Sequence, residues 1–130
     1  MSDNIKSILK MDRLVFDKIE FKRLGFKTDS KLQSQIQCNI AKRNEEEIYR
    51  VSLIFHGQKA DEYTLEVSLT GFFSFEVMPD NERLKDTLIS KNTVAIMMPY
   101  LRSQVSLITA QPEVECVVLP PFNINNMMEK

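Results

Sequence analysis

The sequence predicts an α+β domain: a four-stranded antiparallel β-sheet, a meander, with helices packed on one face. Three observations predict it. Up to about residue 78 apolar residues recur at every second position, and from about 80 they recur at every third or fourth. The polar turn signals fall between runs of the first kind. An apolar sheet face and an apolar helical stripe then have to cover each other. At 130 residues the chain is most simply one domain, 1–130, with strands over about 14–78 and helices and a crossover over about 80–130.

The elements follow in order. "RLVFDKIEFKRLGFK" is rich in strand formers, but its phase slips: Val15, Ile19 and Phe21 share one parity, Leu24 and Phe26 the other. Side chains alternate faces along a strand, so the slip predicts a bulge or bend near Lys22 to Gly25. "QIQCNIA" places Ile36, Cys38 and Ile40 on one face, and "NEEE" follows as a polar turn. In "IYRVSLIF" Tyr49, Val51, Leu53 and Phe55 alternate with Arg50, Ser52 and Ile54, and "HGQKADE" reads as a turn made permissive by Gly57. "YTLEVSLTGFFSFEV" is the clearest strand, with Tyr63, Leu65, Val67, Leu69, Phe73, Phe75 and Val77 in phase and Gly71 interrupting. A glycine there marks a bulge or a close approach. "PDNERLKDTLISKN" starts a helix at Asp80 or Asn81 and carries Leu84, Leu88 and Ile89. A second stripe, Val94, Met98, Leu101, Val105 and Ile108, follows, and Pro99 within it predicts a kink or restart. "VECVVLPPF" is extended, because residues before proline avoid the helical region, and "NINNMMEK" suits one terminal helical turn.

Little in the chain suggests catalysis. A net charge of −1 gives no field towards nucleic acid or anionic lipid. Cys38 and Cys116 match no zinc or CxxC spacing and read as buried thiols of a reducing compartment. No signal-peptide pattern and no membrane-length apolar run occur, so a soluble, cytoplasmic protein is expected. The single histidine, His56, reads as an exposed turn residue. Three scattered glycines cannot build a phosphate loop. Glu45, Glu46 and Glu47 read as a solvated turn, not a metal site. Lys22, Arg23 and Lys27 alternate with Phe21 and Phe26, but without an RNA-binding motif they carry no nucleic-acid assignment. No catalytic residue, metal or cofactor is expected. What stands out is soft apolar surface: seven methionines, four of them in the pairs Met97–Met98 and Met127–Met128. The first pair reads as core, the second as adaptable surface.

The segment "NTVAIMMPYLRSQVSLITAQPEVECVVLPPFNI" resembles the helix and crossover of the SecB protein-export chaperones. Met98, Pro99, Tyr100 and Arg102 match the family's apolar-Pro-Tyr-x-Arg motif, and Leu119, Pro121, Asn123 and Ile124 its extended segment. Glu66, Gly71 and Phe73 match a family strand, and Leu24, Gly25 and Phe26 its apolar-small-Phe triplet. The resemblance runs from about Phe16 to Met128. It implies a homotetramer, a dimer of dimers, that holds non-native polypeptides or preproteins in apolar grooves without ATP. Phe26, Leu32, Tyr100, Phe122, Ile124, Met127 and Met128 are then the expected groove lining, Tyr100 and Met128 by the family's pattern and the others by position. Pro99, Tyr100, Arg102 and Val105 are the expected oligomer interface.

The sequence departs from the family where that family docks the SecA export motor. Arg23 and Lys27 stand where acidic residues are usual, leaving Glu66 alone of the acidic surface. On a regular strand Arg23 and Lys27 would share a face, and their charge would exclude a basic partner. Chaperone binding is therefore expected, and docking to the motor is not. Two further readings remain: a chaperone dedicated to one client, such as an antitoxin, and a non-catalytic interaction or scaffold module that kept the fold.

Overall fold

The alternating runs form one antiparallel sheet of four strands, β1 (Leu9–Arg23), β2 (Leu32–Lys42), β3 (Ile48–Lys59) and β4 (Tyr63–Phe75). The computed structural model describes residues 8–42 and 47–120. The strand order is β1-β4-β3-β2, so only β2, β3 and β4 make a meander. β1 crosses to the far side of β4, which corrects the expected strand-by-strand order to a Greek-key arrangement. The cause lies in the connection after β1: the Leu24 and Gly25 amides donate to the Glu62 carbonyl at 2.8 and 3.2 Å, drawing the chain over the β3–β4 turn.

β1 begins earlier than expected, and its register shifts between Met11 and Arg13 and between Phe16 and Lys18. At Lys22 to Gly25 the strand simply ends and the chain bends, so no bulge forms there. A Cβ on Gly25 would lie 2.5 Å from the Asp61 carbonyl oxygen, so this close crossing requires glycine. The second turn is shorter than the sequence suggests. β3 continues through Gly57 to Lys59, and Asp61, with φ 62°, is the residue in the left-handed region. Gly57 serves instead to admit the Phe55 ring, 3.1 Å from where its Cβ would sit.

The helical half is continuous. Asn81 caps α1 (Glu82–Thr87), its side chain accepting from the Arg83 and Leu84 amides at 2.7 and 3.3 Å. A π-helical turn, Leu88–Asn92, leads into α2 (Thr93–Thr109). Thr93 donates its amide to Leu88 O across the wide turn and its hydroxyl to Ile89 O. No restart occurs at Pro99: the proline lies inside α2, and the irregular π turn ends directly before α2, about two turns upstream of the proline.

α2 packs on β3 and β4. Val51, Leu53, Phe55, Val67, Leu69 and Phe73 meet Val94, Met97, Leu101 and Val105, all fully buried. The methionine pair Met97–Met98 is core, as its spacing suggests. Gly71 lets the helix approach, since a Cβ there would lie 2.7 Å from the Phe73 ring and 3.0 Å from the Met97 sulfur.

Candidate functional site

One helix is about 10 Å across and strands lie about 4.8 Å apart, so it covers two strands, not four. The inner-facing residues of the flanking strands stay partly open: Phe16 is 37% exposed and Ile19 45% on β1, and Ile40 37% on β2. Past α2, Glu113, with φ 63°, turns the chain, and residues 114–119 run back along the helix. Three helical side chains at steps of four and three hold this crossover. Arg102 Nε donates to Leu119 O at 3.1 Å, Ser106 Oγ to Val117 O at 2.8 Å, and the Thr109 hydroxyl accepts from the Val117 amide at 2.9 Å. Val117 is thus pinned, while Cys116 and Val118 on either side remain exposed.

Two hollows flank the crossover, and both are lined by Cys116 and Val118. One, of about 610 Å³, lies against the helix and adds Pro99, Arg102, Ser106 and Leu107. The other, of about 500 Å³, lies against the start of β2 and adds Leu32, Lys59 and Tyr63. Val118 at 75% and Leu107 at 68% exposure make the first hollow openly apolar, whereas Lys31, Lys59 and Glu115 give the second a mixed lining. A buried pair sets the loop beside the second hollow. Glu62 is solvent-inaccessible, and its Oε1 accepts from the Thr28 amide at 2.8 Å and lies 3.3 Å from Lys59 Nζ. Its Oε2 has no partner among the described residues. The Thr28 amide, aided by Lys59, holds this carboxyl below its ordinary range against the opposing effect of burial.

The residues expected to act distribute unevenly. Leu32 lines the second hollow. Phe26 stands 87% exposed on the loop leading to it, and Tyr100 is exposed on the helix but lines neither hollow. Phe122, Ile124, Met127 and Met128 lie outside the described residues. Val118, Cys116 and Leu107 were not foreseen. Their signal was the polar row Arg102, Ser106 and Thr109, whose helical spacing points at the crossover.

Several expectations are corrected. Val105 is fully buried in its own core and cannot meet a partner subunit. Arg102 spends its Nε on Leu119. Arg23, Lys27 and Glu66 do not form one docking surface. Arg23 ends β1 opposite Tyr63 on the inner register, and its guanidinium donates to Gly25 O at 2.7 Å and Glu113 O at 3.2 Å. Lys27 lies in the following loop, not on a strand, while Glu66 faces outwards, 3.4 Å from Lys18 Nζ and 3.5 Å from His56 Nδ1. His56 itself is in β3, not in a turn. Cys116 is exposed, and only Cys38 is half-buried, its thiol pushed up by burial. Glu47 is a tie, not a free turn residue. The Tyr49 hydroxyl donates to it, and Lys42 and Lys85 lie 3.2 and 3.5 Å away. Among the described residues no metal-binding cluster forms, and no helix is long and apolar enough to cross a membrane.

This geometry has a solved counterpart. The chain superposes on the Mycobacterium tuberculosis Rv1957 SecB-like chaperone, in complex with a ChAD peptide from the Rv1956 HigA1 antitoxin, with a TM-score of 0.71. The match covers 93% of this chain and 92% of that one at 10% identity. The chain has the SecB-like fold. A protein of unknown function from Streptococcus agalactiae shares the SecB-like arrangement less closely, with a TM-score of 0.51 at 9% identity over 86% of this chain and 96% of that one. In sequence, the chain is 28% identical over 125 residues to the uncharacterized protein MJ0357 of Methanocaldococcus jannaschii, covering 93% of this chain and 78% of that protein. No protein-family model matches the chain.

Proposed function

We propose that this protein is an ATP-independent chaperone, a holdase that binds non-native polypeptide along the crossover and takes no part in catalysis. The observation that carries the reading is the apolar hollow against the helix, sharing Val118 with a second hollow of mixed lining, beside β-strand flanks that the single helix leaves open. Burying one large aliphatic side chain contributes about 1.5–3 kcal/mol, so a handful of contacts reaches micromolar affinity after the cost of ordering the client. Such binding reverses without nucleotide hydrolysis. Phe26 and Leu32 extend the surface on the β2 side, and Tyr100 and the terminal residues Phe122, Ile124, Met127 and Met128 complete it.

The working unit is a homotetramer. α2 carries a second exposed pair, Ile96 and Tyr100, four residues apart and outside both hollows. That pair replaces Val105 as the proposed subunit contact. The setting is the cytoplasm, with preprotein export as a candidate service. Docking to the SecA motor is weak or absent, because the outer sheet face is not acidic as a whole.

A second reading, a chaperone dedicated to one client such as an antitoxin, is favoured by the antitoxin peptide bound to the structural neighbour. Fluorescence anisotropy with several unrelated unfolded fragments, without nucleotide, separates the readings. Micromolar binding to all of them supports the general holdase, and binding to one alone supports the dedicated chaperone. Binding to none leaves only a scaffold.

A further inference from the structure

The outer face of the sheet is mostly polar, and the strand register lays one exceptional row across it. Arg13 on β1 faces Phe72 on β4, Phe72 faces Arg50 on β3, and Arg50 faces Ala41 on β2. At about 4.8 Å per strand, the two arginine backbones stand roughly 10 Å apart with the aromatic residue between them. Beside Phe72 lies a hollow of about 300 Å³, floored by Phe72, Ile48 and Ala41 and rimmed by Arg50 and Lys42. Lys42 is committed to Glu47 at 3.2 Å. Arg13 and Arg50 are exposed and have no ion pair among the described residues.

On the same face Asp12 pairs with Lys10 at 3.5 Å, and Asp17 accepts from the neutral Thr70 hydroxyl and keeps its charge. At the other end of the face, Lys18 lies between Glu20 and Glu66, with His56 beside Glu66, so the lysine there has carboxylate partners. Arg13 and Arg50, without an ion pair among the described residues, thus bracket an apolar floor.

We propose that this row docks an acidic segment of a partner polypeptide, held extended, with a large apolar side chain seated at Phe72 between two carboxylates. Side chains on one face of an extended chain recur at every second residue, so carboxylates two residues either side of an apolar one stand about 13 Å apart, within reach of the two long arginine side chains. Guanidinium forks suit carboxylates, and removing them from water over an apolar floor strengthens each pair. Nucleic acid is the poorer occupant: tight backbone binding draws on some 6–10 phosphate contacts, whereas this row offers two arginines on a chain of net charge −1. The site lies on the sheet face opposite α2 and the crossover, so it does not rest on the holdase reading. A partner can occupy it while a client fills the hollows.

The test is fluorescence anisotropy on the full-length protein, with labelled peptides of Glu-Gly-Phe-Glu repeats, of Lys-Gly-Phe-Lys repeats, and an oligothymidylate of matching length. The acidic repeat is expected to bind with a salt-sensitive increment over the lysine repeat and the oligothymidylate, and that increment is the binding read in the variants. Arg13→Gln and Arg50→Gln, both at exposed positions, should each weaken binding about tenfold. Val118→Ser, on the other face, should leave it unchanged. The proposal is overturned by no binding of the acidic repeat, by equal binding in the double arginine variant, by tighter binding of the oligothymidylate, or by loss in the Val118 variant instead.

Discussion

Paired residues on the inner face of the sheet differ sharply in their burial. Leu69 and Phe16 are register partners on β4 and β1, as are Val67 and Ile19, and Val51 on β3 faces Ile40 on β2. The first member of each pair is fully buried, whereas Phe16, Ile19 and Ile40 are between 37% and 45% exposed. Residue type does not separate them, since all six are apolar strand formers. What separates them is whether the one helix lies overhead. Phe16, Ile19 and Ile40 are thus surplus to the core under the helix, and the proposed chaperone reading draws on that surplus.

The largest effect should come from Leu69→Ala, which opens a cavity under the helix and costs about 2–5 kcal/mol in urea unfolding. The register-neighbouring flank offers the contrast. Ile19→Ala should cost about 1 kcal/mol or less, and equal losses at the two positions would mean the flank is as sealed as the centre. Gly71→Ala comes between them. Its new methyl meets the Phe73 ring and the Met97 sulfur, so about 1–3 kcal/mol should be lost to overpacking, read from the same unfolding curves.

A smaller effect, visible only in acid, concerns the loop beside the second hollow. Glu62 titrates below its ordinary 4.5 in the folded chain, chiefly through the Thr28 amide. A carboxyl lowered on folding contributes stability that is complete above its unfolded value and is lost as pH falls through the folded one. Thermal midpoints of the wild type should therefore drop on acidification below 4.5, and those of Glu62→Gln should fall less steeply there. Parallel curves would show that this carboxylate does not hold the loop.

Periodicity made the central sheet and the core stripe legible, because alternation in β3 and β4 and the run from Val94 to Val105 each serve one buried face. It could not place β1, whose partner depends on where the Leu24 and Gly25 amides find an acceptor. Nor could it show the helix to be continuous: the step from Ile89 to Val94 is too long for a regular α-helical face, and the π turn that absorbs it leaves no signature except a threonine able to satisfy the spare carbonyl. Of the site, the motif around Pro99 and Arg102 was visible. The role of Arg102 in fixing the crossover was not, because it acts on a backbone carbonyl that carries no side-chain signal.

The central claim is that exposed apolar surface beside the crossover captures non-native chains. Light scattering from a reduced, aggregating model protein tests it most directly, comparing wild type with the double variant Phe26→Ser and Val118→Ser. Both positions are exposed, so folding stability should change by no more than about 0.5 kcal/mol for each. The account predicts that near-stoichiometric wild type suppresses the scattering without nucleotide and that the double variant largely does not. Undiminished protection by that variant, or no protection by the wild type, would contradict it.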